Sequence, residues 1–181
     1  MKQKRPFRRF VPPFLKPGLA GDKMVFRKAQ ESEAETILAL YRAVIGKPYC
    51  TWNEMYPGEY EIAEDLAAGS LYVLEEDQDL IGAISIVPNN ELDGCDCWKI
   101  RENAREFARV VLRPDRQGKG LSAYLVEGIL REMKKRGITA VHLAVAKENI
   151  PAQRLYRKMG FDFCGEAELY GHSFFLCEKV L

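Results

Sequence analysis

Val110-Val111-Leu112-Arg113-Pro114-Asp115-Arg116-Gln117-Gly118-Lys119-Gly120-Leu121-Ser122 reads as a buried strand that stops at a proline and restarts as a helix. Gly118 and Gly120 carry no side chains to hold an anion off the backbone, and Lys119 sits between them. The first-turn N–H groups of the helix lack intrahelical acceptors and lie at the positive end of its dipole. The junction is a seat for a compound that carries phosphate.

Two nucleotide readings fit poorly. A triphosphate-binding loop needs a glycine where Arg113 stands and a Ser or Thr where Gly120 stands. A dinucleotide fingerprint asks for Gly or Ala three residues after Gly120, a spacing that Ala123 meets only loosely. It also needs an acidic residue to hold the ribose at the end of the next strand, where this chain has Ala140-Val141-His142-Leu143.

The segment closely resembles the signature of the GNAT superfamily of acyl-CoA-dependent N-acyltransferases. Its pattern Gln/Arg-x-x-Gly-x-Gly/Ala falls on Gln117, Gly120 and Ser122. Ser122 departs from the last position but is small enough to approach a pyrophosphate. A second family landmark, Asn-x-x-Ala-x-x-Leu-Tyr-x-x-x-Gly-Phe, matches Asn149, Ala152, Leu155, Tyr156, Gly160 and Phe161. The resemblance runs from Met24 to Leu181. It implies a mixed, mainly antiparallel α/β sheet with helices on both faces and one splayed strand pair that takes the pantetheine arm of acetyl-CoA as a false strand. By that resemblance the cofactor contacts are Val110, Val111, Leu112, Gln117, Gly118, Lys119, Gly120, Leu121, Ser122, Ala123 and Asn149. Main-chain N–H groups near Val110 and Leu112 would then polarise the acetyl carbonyl, and fixed donors of this kind are often the largest catalytic contribution. Tyr156 would donate a proton to the departing sulfur.

Asn149 and Tyr156 are seven residues apart. On a helix that is nearly two whole turns, so both lie on one face, about 10 Å apart along the axis. Read alone, Tyr156 between Leu155 and Met159 is a core tyrosine.

The 181 residues are 47% hydrophobic and 29% charged, enough to bury one full core. The sequence has no apolar run long enough to span a bilayer and no apolar leader, so a cytoplasmic enzyme is expected. Five cysteines at irregular spacing make no disulfide framework and suit a reducing compartment. Cys95-Asp96-Cys97 resembles half of a metal site, but His142 and His172 are the only histidines, so no metal is expected. Residues 1–23 hold seven Lys or Arg against one acid, leaving 20 bases and 25 acids in the rest. With Pro6, Pro12, Pro13 and Pro17 they read as a basic extension ahead of an acetyltransferase domain over 24–181.

Within that domain the pattern predicts a strand near Val25, then a helix carrying Ala34, Ile37, Leu38, Tyr41 and Val44 that opens on a Ser32–Glu35 capping box. An irregular or partly helical stretch over 46–69 precedes a hairpin of 71–75 with 81–87, and a polar loop covers 88–98. A strand over 105–112 feeds the glycine turn, followed by a helix over 118–137, a strand over 140–145, a helix over 150–159 and closing strands at 163–166 and 173–180.

The acceptor chemistry sets one more requirement. A lysine-type amine with pKa about 10.4 is about one-thousandth neutral near pH 7.4, a penalty of roughly 4 kcal/mol, whereas an α-amine near 7.8 costs under about 1 kcal/mol. Glu106 is the candidate base, and strict alternation places it on the side of Ala108 and Val110. An ion pair with Lys99, Arg105 or Arg109 is its structural alternative. Ala144 stands where some family members carry a glutamate on the next strand. Between Tyr49 and Glu61 aromatics mix with carboxylates, which suits a cationic amine and makes Trp52 and Glu54 candidate acceptor contacts. A solvated acidic helix is the equal alternative. Tyr170 and His172 are candidates for the opposite wall.

The expected partner is a small-molecule or peptide amine met by a monomer or homodimer, with no membrane or nucleic-acid role. A catalytically silent acyl-CoA sensor is the competing function class, and an RNA binder driven by the basic extension is the third.

Overall fold

The computed structural model of the protein describes residues 24–88, 92 and 94–181. The basic extension expected over 1–23 lies outside the described residues. Seven strands form one sheet: β1 (Met24–Lys28), β2 (Leu71–Glu76), β3 (Asp79–Val87), β4 (Ala104–Leu112), β5 (Ala140–Ala146), β6 (Asp162–Leu169) and β7 (His172–Val180). They stand in the order β1-β2-β3-β4-β5-β7-β6. Every neighbouring pair is antiparallel except β4 with β5. A parallel pair cannot be joined by a tight turn. The long helix α3 (Leu121–Lys135) makes that crossover; the other helices are α1 (Ala34–Arg42), α2 (Glu59–Ala67) and α4 (Ile150–Lys158).

Alternation along the strands sends side chains into two cores, one on each face. Leu121, Leu125, Ile129 and Met133 of α3 repeat every fourth residue and pack with Tyr156 of α4 on Leu74, Ile84 and Phe107. On the opposite face Ile37, Leu40 and Tyr41 of α1 and Ile62 of α2 pack on Leu71, Val73, Ala83 and Val111. The β2–β3 turn is Asp77-Gln78, with φ of 51° and 75°, the two positive values that match the twist of a tight hairpin.

One local expectation is corrected. The cap of the first helix is not Ser32 with Glu35. A 3-10 turn over Glu31–Glu33 comes first, and the Glu33 carboxylate accepts from the Gln30 N–H at 2.8 Å. Arg27 on β1 reaches both Glu33 and Glu75 at 2.6 Å and so selects Glu33 for that position.

Candidate functional site

β4 and β5 pair only at their first residues, through Ala104 with Ala140, Arg105 with Val141 and Glu106 with His142. Beyond that point β4 continues against β3 and β5 against β7, leaving the facing edges of the two strands unpaired. Arg113 N–H donates to Ile81 O at 2.7 Å, toward β3. Main-chain polar groups alternate sides along a strand, so those of Leu112 and Val110 face the gap. The gap ends where Gln117 Nε2 donates to Leu112 O at 3.0 Å.

The glycine turn follows immediately. Gly118 has φ +73° and Gly120, the N-cap of α3, has φ +83°, values that side chains resist. A Cβ on Gly118 would meet nothing within 4 Å, so that side of the turn is open to a ligand. Residues 118–120 are exposed. Among the described residues, no hydrogen bond engages the main-chain N–H groups of Gly118, Lys119, Gly120, Leu121 or Ser122, and the first helical bond is Ala123 N–H to Gly120 O at 3.1 Å. Leu121 and Ala123 are buried and anchor the turn to the sheet, while Lys119 projects from it.

On α4 the spacing places three residues along one face. Asn149 is the N-cap, its Oδ1 accepting from Ala152 N–H at 3.1 Å. Gln153, one turn on, is buried and donates to Ala146 O at 3.2 Å and Lys147 O at 2.7 Å, tying the helix to the end of β5. Tyr156 is 6% exposed, packs edge-on to Phe161 at 5.3 Å, and its hydroxyl has no hydrogen-bond partner among the described residues. Burial pushes that hydroxyl well above the ordinary tyrosine range, so it keeps its proton at neutral pH. Gln153 is not among the residues expected from sequence; its signal is a polar residue at i+4 from a capping Asn on an otherwise apolar stripe.

Glu106 is on the opposite side from Val110, which corrects the alternation expected from sequence. Ser85 pairs with Ala108 but Ala83 with Val111, so Arg109 and Val110 share one position opposite Ile84. Arg109 has φ +51° in this bulge. The extra residue reverses the pattern: Phe107, Val110 and Leu112 belong to the α3 side, Val111 to the α1 side. Glu106 therefore shares the α1–α2 side with Arg109.

Arg109 donates to Asp65 of α2 through Nε at 2.9 Å and Nη2 at 2.7 Å, and through Nη1 to the Tyr56 hydroxyl at 3.3 Å. Asp65, 3% exposed, also accepts from Ser85 and Ser70. Burial pushes the Tyr56 hydroxyl up, Arg109 pulls it back, and Glu106 and Glu61 push it further, so Glu106 acts within electrostatic reach of Tyr56. The buried Tyr41 hydroxyl lies in the same group, within electrostatic reach of Arg109, Asp65 and Tyr56 and beside Ser85. Asp65 was not picked out from sequence, and Arg109 was named there only as a possible ion-pair partner of Glu106.

The other acceptor candidates are dispersed. Trp52 packs edge-on to Tyr41 at 5.4 Å in the second core, Glu54 lies in the exposed turn closed by Asn53 and Tyr56, and Glu61 caps α2 by accepting from Gly58 N–H at 2.7 Å. Tyr170, 75% exposed with φ +52°, lies with Gly171 in the β6–β7 turn, and His172 is the first residue of β7. A groove of about 550 Å³ between α1 and α2 shares no lining residue with the gap, the glycine turn or Tyr156. Among the described residues no group of three or more His, Cys, Asp or Glu is placed to hold a metal ion, and no helix is long and apolar enough to cross a membrane.

Residues 37–161 match the family described as "Acetyltransferase (GNAT) family". An L-methionine sulfoximine/L-methionine sulfone acetyltransferase of Pseudomonas paraeruginosa is 24% identical over 153 residues, covering 82% of this chain and 86% of that protein. The fold is similar to a GNAT-family acetyltransferase of Streptococcus agalactiae, with TM-score 0.73, 21% identity, and 89% and 97% of the two chains covered. It is also similar to the PaiA N-acetyltransferase of Thermoplasma acidophilum in complex with coenzyme A, with TM-score 0.66, 24% identity, and 88% and 99% covered.

Proposed function

The chain belongs to the GNAT family of acetyltransferases, and from that premise we propose that it transfers an acetyl group from acetyl-CoA to a primary amine of a small molecule or peptide, by direct attack within a ternary complex. The observation that carries the reading is the parting of β4 and β5 beyond Glu106 and His142, with an unengaged row of N–H groups at its end. An unpaired strand edge suits an amide-bearing arm, and a helix N-terminus preceded by two glycines suits a pyrophosphate. The Thermoplasma neighbour of the same fold binds coenzyme A.

Acetyl-CoA, when bound, supplies the thioester carbon that the amine attacks. The N–H groups of Gly118 to Ser122 bind phosphate oxygens, and Lys119 adds a positive charge. The Val110 and Leu112 main chain fixes the arm and polarises the carbonyl from donors that need no reorganisation. Gln117 keeps Leu112 in place, and Asn149 orients the start of α4. Tyr156, whose hydroxyl burial keeps protonated, holds a proton for the departing sulfur. Glu106, on the face shared with Arg109 and Tyr56, takes the proton from the incoming amine. The Pseudomonas relative is named for acceptors that carry an α-amine. A peptide-type α-amine with pKa about 7.8 is about half neutral at that pH and asks less of a base than an alkyl amine.

Glu106→Gln tests the assignment. It should lower kcat/KM for an alkyl amine by about 10²-fold and for an α-amine by far less, with acetyl-CoA affinity unchanged. Equal loss for both amine types contradicts the role of Glu106 as base.

A further inference from the structure

Cys97 lies between β3 and β4 and Cys164 lies on β6, yet their Sγ atoms are 3.2 Å apart. Both sides of the contact are built. Trp98, next to Cys97, is buried, donates from its indole N–H to Leu92 O at 2.6 Å and stacks on His142 at 4.0 Å. The main-chain N–H groups of Lys99 and Ile100 both donate to Glu178, which is 1% exposed and also bonds His142. These contacts fix the Cys97 segment against β5 and β7. Opposite it, the register of β6 against β7 slips between Phe163 and Gly165, so Cys164 occupies a bulge, a feature that re-aims a side chain. Gly165 leaves the approach open, since a Cβ there would stand 3.0 Å from Cys97 Sγ.

We infer that Cys97 and Cys164 form an oxidisable dithiol, a modification site that consumes a peroxide and closes to a disulfide. The site shares no residue with the acetyl-transfer machinery and does not rest on that reading. A disulfide needs an S–S separation of about 2.05 Å, so the sulfurs must approach by about 1 Å for the link to close. In the first step Cys97 sulfur attacks a peroxide oxygen and the O–O bond breaks. With hydrogen peroxide one water leaves, Cys97 is oxidised to the sulfenic acid and the peroxide is reduced. In the second step Cys164 sulfur attacks Cys97 sulfur. The S–S bond forms, the S–O bond breaks, and the hydroxide departs with the Cys164 proton as a second water.

The order of the two sulfurs follows from their surroundings. Burial, then the hydrogen bond to Cys97, pushes the Cys164 thiol up, so Cys164 keeps its proton and acts as the resolving thiol. Cys177, the most buried of the five, is pushed up by burial to about 12 and stays out of the reaction. The closed form ties the Cys97–Ile100 segment to the β6–β7 hairpin.

The test uses the full chain and hydrogen peroxide. After treatment, free thiols counted in denaturant should fall from five to three. The Tm should rise by about 5–15 °C, because the link closes a long loop in the unfolded chain. Dithiothreitol should reverse both changes. Cys97→Ser and Cys164→Ser should each abolish the internal disulfide and the Tm rise, whereas Cys50→Ser and Cys95→Ser should behave as the parent. Retention of all five thiols, or a disulfide that survives either Cys97→Ser or Cys164→Ser, overturns the inference.

Discussion

Asp65 and Arg109, 44 residues apart in the chain, face each other as a bidentate ion pair with side chains 5% and 11% exposed. The pair joins α2 to the bulge in β4 and holds Arg109 at its positive φ. Removing one partner of such a pair leaves a buried charge uncompensated, which costs about 3–5 kcal/mol. Asp65→Ala should therefore destabilise the protein strongly in urea unfolding. Asp65→Leu combined with Arg109→Met should cost much less than the sum of the single changes. Additive losses would show that the two side chains do not act as a pair.

At the glycine turn, acetyl-CoA at about one hundred times its Kd should raise the Tm by about 5–10 °C, while ATP and NAD should not. Gly120→Glu should abolish the shift. Because φ at Gly120 is +83°, any side chain there adds about 1–2 kcal/mol of strain, so Gly120→Ala is the control. The alanine variant should melt lower yet still respond to acetyl-CoA. A glutamate variant that folds and responds like the alanine one would show that the pyrophosphate does not sit at the turn.

Tyr156→Phe keeps a ring that is 6% exposed and removes only its hydroxyl. Turnover should fall by roughly 10² to 10³ with little change in acetyl-CoA affinity. Unchanged turnover with chemistry shown to be rate-limiting removes Tyr156 from the mechanism.

The local parts of the site are legible in the sequence because short-range rules produce them. Pro114, Gly118 and Gly120 dictate the turn, and the Asn149-to-Tyr156 spacing dictates one helix face. The β4 bulge is not legible. A two-residue period puts Glu106 with Val110, and nothing in the chemistry of Arg109 announces a positive φ; a partner from α2 imposes it. Asp65 reads as one more acid in the Glu59–Glu64 run until tertiary packing buries it. The insertion of β7 between β5 and β6 is equally non-local, because either closing strand has the composition to pair with β5.

Stability in acid should depend on Glu33. The Arg27 guanidinium hydrogen-bonded to it holds its carboxyl below the ordinary range. A depressed folded-state pKa gives stability that is fully present above the unfolded value, about 4.3, and lost as pH falls through the folded value. Tm measured from pH 7 down to pH 3 should drop less steeply for Glu33→Gln than for the parent. An identical acid limb in both would assign the acid sensitivity to other carboxylates.

The most direct test of acetyl transfer is turnover of acetyl-CoA against a panel of primary amines spanning α-amino compounds, alkyl amines and peptide N-termini, read as released thiol and as acetylated product by mass. At least one α-amine should give the two products in equal amounts at a rate well above hydrolysis, with anionic alcohols and secondary amides inert. Acetyl-CoA binding without acetylation of any amine across the panel would contradict the enzymatic account and leave a silent acyl-CoA sensor in its place.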